Sequence, residues 1–196
     1  MYISFGKRLF DLALSILALA VVIPVLAVSI LFILIVDGYP FFFVQKRMGK
    51  NGNEFVIYKL RTMRKGADKL GATTYKNDYR IIWGGALIRS LKIDELPQLI
   101  NIVKGDMSIV GPRPTVKEDY DRMSTLQKQR AAVLPGLTGL AQISGNTSLT
   151  WPERIELDLK YIQKLSFFED LKIILATAKK LIINEIDSHP PTRGEW

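Results

Sequence analysis

The sequence predicts an α+β chain, mainly helical, with an N-terminal re-entrant membrane helix broken at Pro24, a small β-hairpin and amphipathic interfacial helices. Three observations lead there. Residues 12 to 36 form a charge-free run of 25 with Pro24 at its middle. Two short segments rich in strand-forming residues flank Asn51-Gly52, and several later segments repeat apolar residues at helical spacing behind Ser or Thr caps.

The apolar run comes first. A straight helix of that length would reach ~37 Å, enough to cross a hydrocarbon core of ~30 Å. Pro24 lacks a backbone N–H and clashes with the preceding turn, so the run divides into limbs of 12 and 13 residues. Each limb covers only ~18 to 20 Å. Both flanks are basic, with Lys7 and Arg8 before and Lys46, Arg47 and Lys50 after, so both ends favour the same side of a membrane. A helix that enters one leaflet and returns meets both facts, with Ser15, Ser29 or the neighbouring limb satisfying the groups that Pro24 frees. A cleaved signal peptide fits poorly, because the run exceeds the ~7 to 15 residues of an h-region.

The chain divides into an anchor (1–38), a catalytic domain (39–187) and a polar tail (188–196). In the catalytic domain, FFFVQKR (41–47) and EFVIYKLR (54–61) read as the hairpin. Alternation puts Lys59 and Arg61 on one face of the second strand and Tyr58 and Leu60 on the other. A polar loop follows over 66–79. Helix starts are marked by Thr115 with Glu118, Thr150 with Glu153 and Ser166 with Glu169. The last helix carries a broad apolar face edged by Lys172, Lys179 and Lys180, which suits either a core helix or one lying on a bilayer.

Composition narrows the chemistry. The net charge of +8, from 27 Lys and Arg against 19 Asp and Glu, suits anionic headgroups or a phosphorylated substrate. Cysteine is absent and His189 is the single histidine, which leaves almost nothing for a disulfide framework, a zinc site or a histidine-based triad. The basic residues are dispersed and no recognition motif appears, so nucleic acid is not an expected partner.

The segment from Arg89 to Pro114 carries the chemistry. Leu96, Leu99, Ile100 and Val103 recur at helical spacing and Gly105 stops the helix, which places Asp94 at the N-cap, Glu95 just inside and Pro97 in the first turn. Helix-start N–H groups favour a carboxylate and also attract phosphate. Attack of an aspartate on a diphosphate needs a cation beside it, and Mg²⁺ held by a carboxylate and the phosphate oxygens meets that need. Asp94 and Glu95 divide the work, one attacking phosphorus and the other holding metal. Arg113, between Pro112 and Pro114, presents its guanidinium from a stiff loop. With Lys59, Arg61 and Arg89 it forms a diphosphate cradle. A non-enzymatic anchored scaffold that binds anionic lipid also explains the charge and the apolar run, but it leaves this cluster without a task. A glycosidase would need its two acids on opposite sides of the scissile bond.

Lys7-Arg8 with Asp11, the proline-broken run, YKLRTM (58–63), RSLKIDELPQL (89–99), KGDMSIVGPRP (104–114), LPGLTGLAQISG (134–145) and IELDLKYI (155–162) together resemble the small monotopic phosphoglycosyl transferases of the bacterial sugar transferase family. The likeness covers nearly the whole chain. It implies a re-entrant anchor and catalysis at the cytoplasmic face of the bacterial inner membrane. The implied reaction moves a sugar phosphate from a UDP-sugar to a polyprenyl phosphate and releases UMP. It implies a covalent phosphosugar on Asp94, Mg²⁺ bound with help from Glu95, Arg113 near the diphosphate, and Asp158, from Glu156-Leu157-Asp158 with Tyr161, near the active site. One position departs from the pattern: a serine often precedes the helix-breaking proline, and here it is Ile23. Neither the sugar nor the oligomeric state is legible.

Overall fold

The computed structural model describes residues 2–67 and 78–183. A π-helical turn, Tyr2–Gly6, leads into α1, Lys7–Asp37, which closes when the Gly38 N–H bonds to Leu34 O. Helical backbone runs through Pro24 without interruption, where two limbs separated by a break were expected. A proline removes one rung of the ladder, and the rungs on either side persist. The serines do not repair that rung. The Ser29 hydroxyl donates to Val25 O at 2.8 Å, and Ser15 Oγ is buried without a partner among the described residues.

The hairpin forms as expected. β1, Phe42–Met48, pairs antiparallel with β2, Glu54–Leu60, through a turn whose Asn51 and Gly52 take positive φ. The outer edge of β2 is covered by a side chain. Asn101, fully buried on α3 (Gln98–Lys104), accepts from Tyr58 N at 3.2 Å and donates to Val56 O at 2.7 Å.

A second sheet was not foreseen. β3, Ser108–Val110, pairs parallel with β4, Gly136–Thr138. Gly136 lies so close to Gly111 that a Cβ would enter its backbone, and this approach lets Gly136 N reach Pro112 O at 2.9 Å. Short helices fill the connections: α2, Gly85–Ser90; α4, Lys117–Arg122; α5, Thr125–Lys128; α6, Leu140–Ile143. Two longer ones, α7 (Trp151–Lys164) and α8 (Phe167–Ile183), complete the described fold.

Capping followed the sequence in part. Thr150 and Glu153 form the reciprocal box, and Ser166 caps Glu169 N at 3.3 Å. Thr115 caps nothing: its backbone is drawn into a bridge with Met48, and α4 starts after Val116. The box that replaces it, Ser124 with Gln127, starts α5. Most of the polar loop expected over 66–79 and the tail 188–196 lie outside the described residues.

Two apolar clusters join α1 to the rest. Leu14, Ala18, Leu19 and Val22 pack on a core that includes Leu99, Ile102, Met107, Tyr161 and Ile173. Leu26, Ile30 and Phe32 pack on one built from Ile33, Leu60, Ile82 and Ile88. Away from these contacts α1 is exposed along its length, at Leu9, Leu17, Val21, Val28 and Ile35 among others. Only 11% of its most apolar window is buried, so α1 is not the core helix of the fold. On α8, Asp170 and Ile173 face the core, while Phe168, Leu175 and Ile182 are exposed apolar groups.

Candidate active site

Asp94 and Glu95 do not sit where a simple helix start would place them. Lys92 takes a left-handed φ of 57°, and Ile93–Glu95 form a single 3₁₀ turn. Pro97, not Asp94, occupies the cap position of α3. The acids therefore lie one turn before α3, on backbone continuous with it, and both are buried, at 7% and 8% exposure.

Their surroundings differ. Glu95 Oε1 accepts from Lys59 Nζ at 2.8 Å and from Arg113 Nη2 at 2.7 Å, and Oε2 has a single contact at 3.4 Å from Arg113 Nη1. Burial acts to raise the Glu95 carboxyl, but Arg113 and then Lys59 outweigh it and hold it well below the usual carboxylate range. The same contact raises the Arg113 guanidinium, and burial lowers Lys59. Asp94 accepts no hydrogen bond from any described residue. Burial first and the Glu95 charge second push its carboxyl up to about 6, against the pull of Lys59, Arg89 and Lys92.

The structure thus gathers Lys59, Asp94, Glu95 and Arg113, with Arg89 close enough to act on Asp94 while its Nη1 reaches Thr62 Oγ1 at 3.4 Å. It does not bring Arg61 to this group. Arg61 is 6% exposed and turns to the end of α1, donating to the Asp37 carboxylate, to Pro40 O and, at 2.5 Å, to Gly38 O. Period-two alternation gave Arg61 the same face as Lys59, but the acceptors where the chain leaves α1, at Asp37, Gly38 and Pro40, take its guanidinium.

Asp158 supports the site from behind. It is 2% exposed and accepts from Arg130 Nε and Nη2 at 2.8 and 2.6 Å. Arg130 Nη2 also donates to Arg113 O at 2.9 Å. The Pro112-Arg113-Pro114 loop is gripped at every carbonyl: Gly136 N holds Pro112 O, Arg130 holds Arg113 O, and Arg47 Nη1 reaches Pro114 O at 3.4 Å. Two prolines supply no donors there, so long-range donors fix the loop. Sequence reasoning missed Arg130, Arg47 as a loop contact, and Lys92. Nothing local marks Arg130, whose partners lie 17 and 28 residues away.

The donor set fits a magnesium ion in kind. Mg²⁺ takes hard oxygen ligands and typically uses one or two carboxylates, with waters and substrate phosphates completing the shell. Asp94 offers oxygens that accept no hydrogen bond from the described residues, and Glu95 offers Oε2. No group of three or more His, Cys, Asp or Glu residues able to hold a metal occurs among the described residues.

Fold and site give the chain two buried acids ringed by cations, on a domain fastened to an apolar helix. Its kinship follows from comparison with known proteins. The profile of the bacterial sugar transferase family matches residues 2–184, and the chain belongs to that family. It is 41% identical over 179 residues to the uncharacterized sugar transferase EpsL of Bacillus subtilis, covering 91% of this chain and 88% of that protein. It is 38% identical over 192 residues to the UDP-glucose:undecaprenyl-phosphate glucose-1-phosphate transferase of Caulobacter vibrioides, covering 93% and 72%. Against the undecaprenyl-phosphate galactose phosphotransferase of Salmonella typhimurium the identity is 34% over 194 residues, covering 91% of this chain and 40% of that longer protein.

Proposed function

We propose that this chain is a phosphoglycosyl transferase that moves a sugar phosphate from a UDP-sugar to a polyprenyl phosphate and releases UMP, through a phosphosugar held on Asp94. The observation that carries the reading is the asymmetry of the acid pair. Glu95 is clamped by two cations, while Asp94, equally buried, has no hydrogen-bond partner among the described residues and is left to react.

In the first half-reaction an Asp94 carboxylate oxygen attacks the sugar-bearing phosphorus. The bond from that phosphorus to the bridging oxygen breaks, and UMP leaves with the electron pair. Arg113 and Arg89 offer guanidinium N–H groups to the phosphate oxygens, and Lys59 keeps Glu95 in place. In the second half, an oxygen of the lipid phosphate attacks the same phosphorus and Asp94 departs as a carboxylate. Magnesium, held by Glu95 with Asp94, would neutralise diphosphate charge so that a carboxylate can approach. A shared carboxylate lets a water-soluble donor and a lipid acceptor take turns at one centre.

The anchor is read as re-entrant, bending near Pro24 and returning to the cytoplasmic face. Supporting this, both ends of α1 are tied to one domain, through Asp11 to Ser108 Oγ and Ile109 N at the start and through Asp37 to Arg61 at the end. Its exposed apolar stretch lies between those ties. The sugar names of the relatives supply donors to try: glucose, galactose and N-acetylgalactosamine. The test is intact-protein mass after incubation with each UDP-sugar and Mg²⁺ but no lipid. A phosphosugar adduct mapped to residue 94, with equimolar UMP, is expected. UMP release without an adduct would sink the covalent route.

A further inference from the structure

We propose that Arg8 is a positioning residue that sets the height of Asp94 relative to the bilayer, by gripping the far end of the helix that carries it. The inference rests on the reaction and the anchor proposed above. Helical backbone is continuous from Ile93 to Lys104: Leu96 has φ −57° and ψ −33°, Pro97 φ −59° and ψ −17°, and α3 follows. Asp94 and Val103 are therefore two ends of one rod of about 14 Å at ~1.5 Å per residue.

The far end of that rod is held by the anchor. Arg8 Nη1 donates to Ile102 O at 2.6 Å and Nη2 to Val103 O at 2.8 Å, at the negative end of α3, where a guanidinium also meets the dipole favourably. Gly105, at φ +96°, ends the helix against the same guanidinium. From sequence, the basic pair Lys7-Arg8 reads as a flank that sets which side of a membrane this end of the run takes. The structure turns both inward, Lys7 to Asp170 at 2.7 Å and Arg8 to α3.

Other contacts between α1 and the domain do not fix this rod along its axis. Lys7 binds α8 and Asp11 binds β3. Leu14, Ala18, Leu19 and Val22 share a cluster with Leu99 and Ile102, but apolar contact is non-directional and permits sliding. A two-pronged hydrogen bond does not. Among the described contacts, the Arg8 fork is thus the direct hydrogen-bonded link from the membrane helix to the rod that bears the nucleophile; Asp11 and Asp37 reach the rod only by way of β3 and the β2 end of the hairpin.

The two half-reactions make different demands on height. A UDP-sugar reaches Asp94 from water wherever the site lies. A polyprenyl phosphate offers its attacking oxygen at one depth, fixed by its tail, and a misplacement of about 1 Å can cost up to about 100-fold. Loss of the fork therefore separates the halves.

The experiment uses Arg8→Met, which keeps an apolar stem, and Arg8→Lys, which reaches one carbonyl. The chain has no cysteine, so Ile100→Cys, on the rod itself and exposed, accepts a single spin label. In phosphatidylethanolamine–phosphatidylglycerol vesicles the label's depth should shift or broaden in Arg8→Met, with Arg8→Lys between it and the parent. An unchanged depth in both variants overturns the proposal, whatever the activity. With UDP-glucose, UDP-galactose or UDP-N-acetylgalactosamine alone, UMP release should stay within about twofold of the parent, while transfer to polyprenyl phosphate in those vesicles falls about tenfold or more. Equal loss in both halves overturns it and marks Arg8 as merely structural. If the parent itself releases no UMP from any donor, the proposed reaction fails, and the depth measurement still decides the role of Arg8.

Discussion

Asp170 and Asp94 are both buried carboxylates, and they are treated in opposite ways. Asp170, where α8 meets the start of α1, is fully enclosed and accepts from Tyr2 at 2.5 Å, Lys7 at 2.7 Å and Tyr161 at 2.7 Å. Burial first, and Asp170 next, push the phenols of Tyr2 and Tyr161 far above their usual value, so both remain donors. Asp94 lies in a ring of cations and is given none of their hydrogen bonds; Glu95 takes those of Lys59 and Arg113. The difference is one of partners: the donors around Asp170 tie the start of α1 to α7 and α8, whereas Asp94 is left without them, as the nucleophile proposed above requires.

The sharpest way to break this contrast is to remove each carboxylate in turn. Asp94→Asn should abolish adduct formation, with turnover down by about 10⁴-fold or more, and should not destabilise the fold. The pH dependence gives the sign. The Asp94 carboxyl stands at about 6 in the fold against an ordinary 3.8, so its ionisation weakens the native state as pH rises through that window. Asp94→Asn should therefore be more stable than the parent at pH 7, by up to about 3 kcal/mol, and the gap should close as pH falls to about 4. Thermal melts across that range check it. Glu95 works the other way, contributing stability at neutral pH that is lost only in strong acid. Adduct formation in the parent should drop about tenfold per pH unit below 6, since only the carboxylate attacks.

Asp170→Ala should do the reverse. Removing one partner of a buried pair costs about 3–5 kcal/mol, so a large loss of folding stability by denaturant titration is expected, with residual activity in proportion to folded protein. Smaller in effect, Arg130→Gln releases the carbonyl of Arg113 and leaves Asp158 without its charge partner. It should cost folding stability, though less than Asp170→Ala because Arg154 still acts on Asp158, and in the folded protein raise the donor KM by about tenfold, as expected for a misplaced diphosphate ligand, with a lesser change in kcat. Smallest, Thr150→Ala removes a surface cap of α7 and should cost about 1 kcal/mol with kinetics unchanged, which marks the baseline for changes that touch neither acid.

Local signals carried much of this architecture. Asn51-Gly52 between two strand-forming runs fixed the hairpin, Gly105 ended α3, and Thr150 with Glu153 opened α7, because each depends on neighbours within a few residues. The acid pair and Arg113 stood out in the sequence as one candidate site, and the fold brings Arg113 to Glu95. What local pattern did not carry depends on distant contacts. Arg61 reaches back 24 residues to Asp37, Arg130 forward 28 to Asp158, and Thr115 gives up its capping role because strand β1 passes beside it. The left-handed Lys92 shifted Asp94 off the cap, a change that residue type alone does not announce.

Asn101 has a consequence for how copies of the chain coexist. A two-stranded ribbon offers a raw border that invites a neighbour's backbone, the usual start of edge-to-edge aggregation. By answering Tyr58 N and Val56 O with one carboxamide, Asn101 closes that border with a side chain instead of a third strand. Molecules confined to a surface collide more often than molecules in bulk solution, and a sealed ribbon lets them crowd without stitching together.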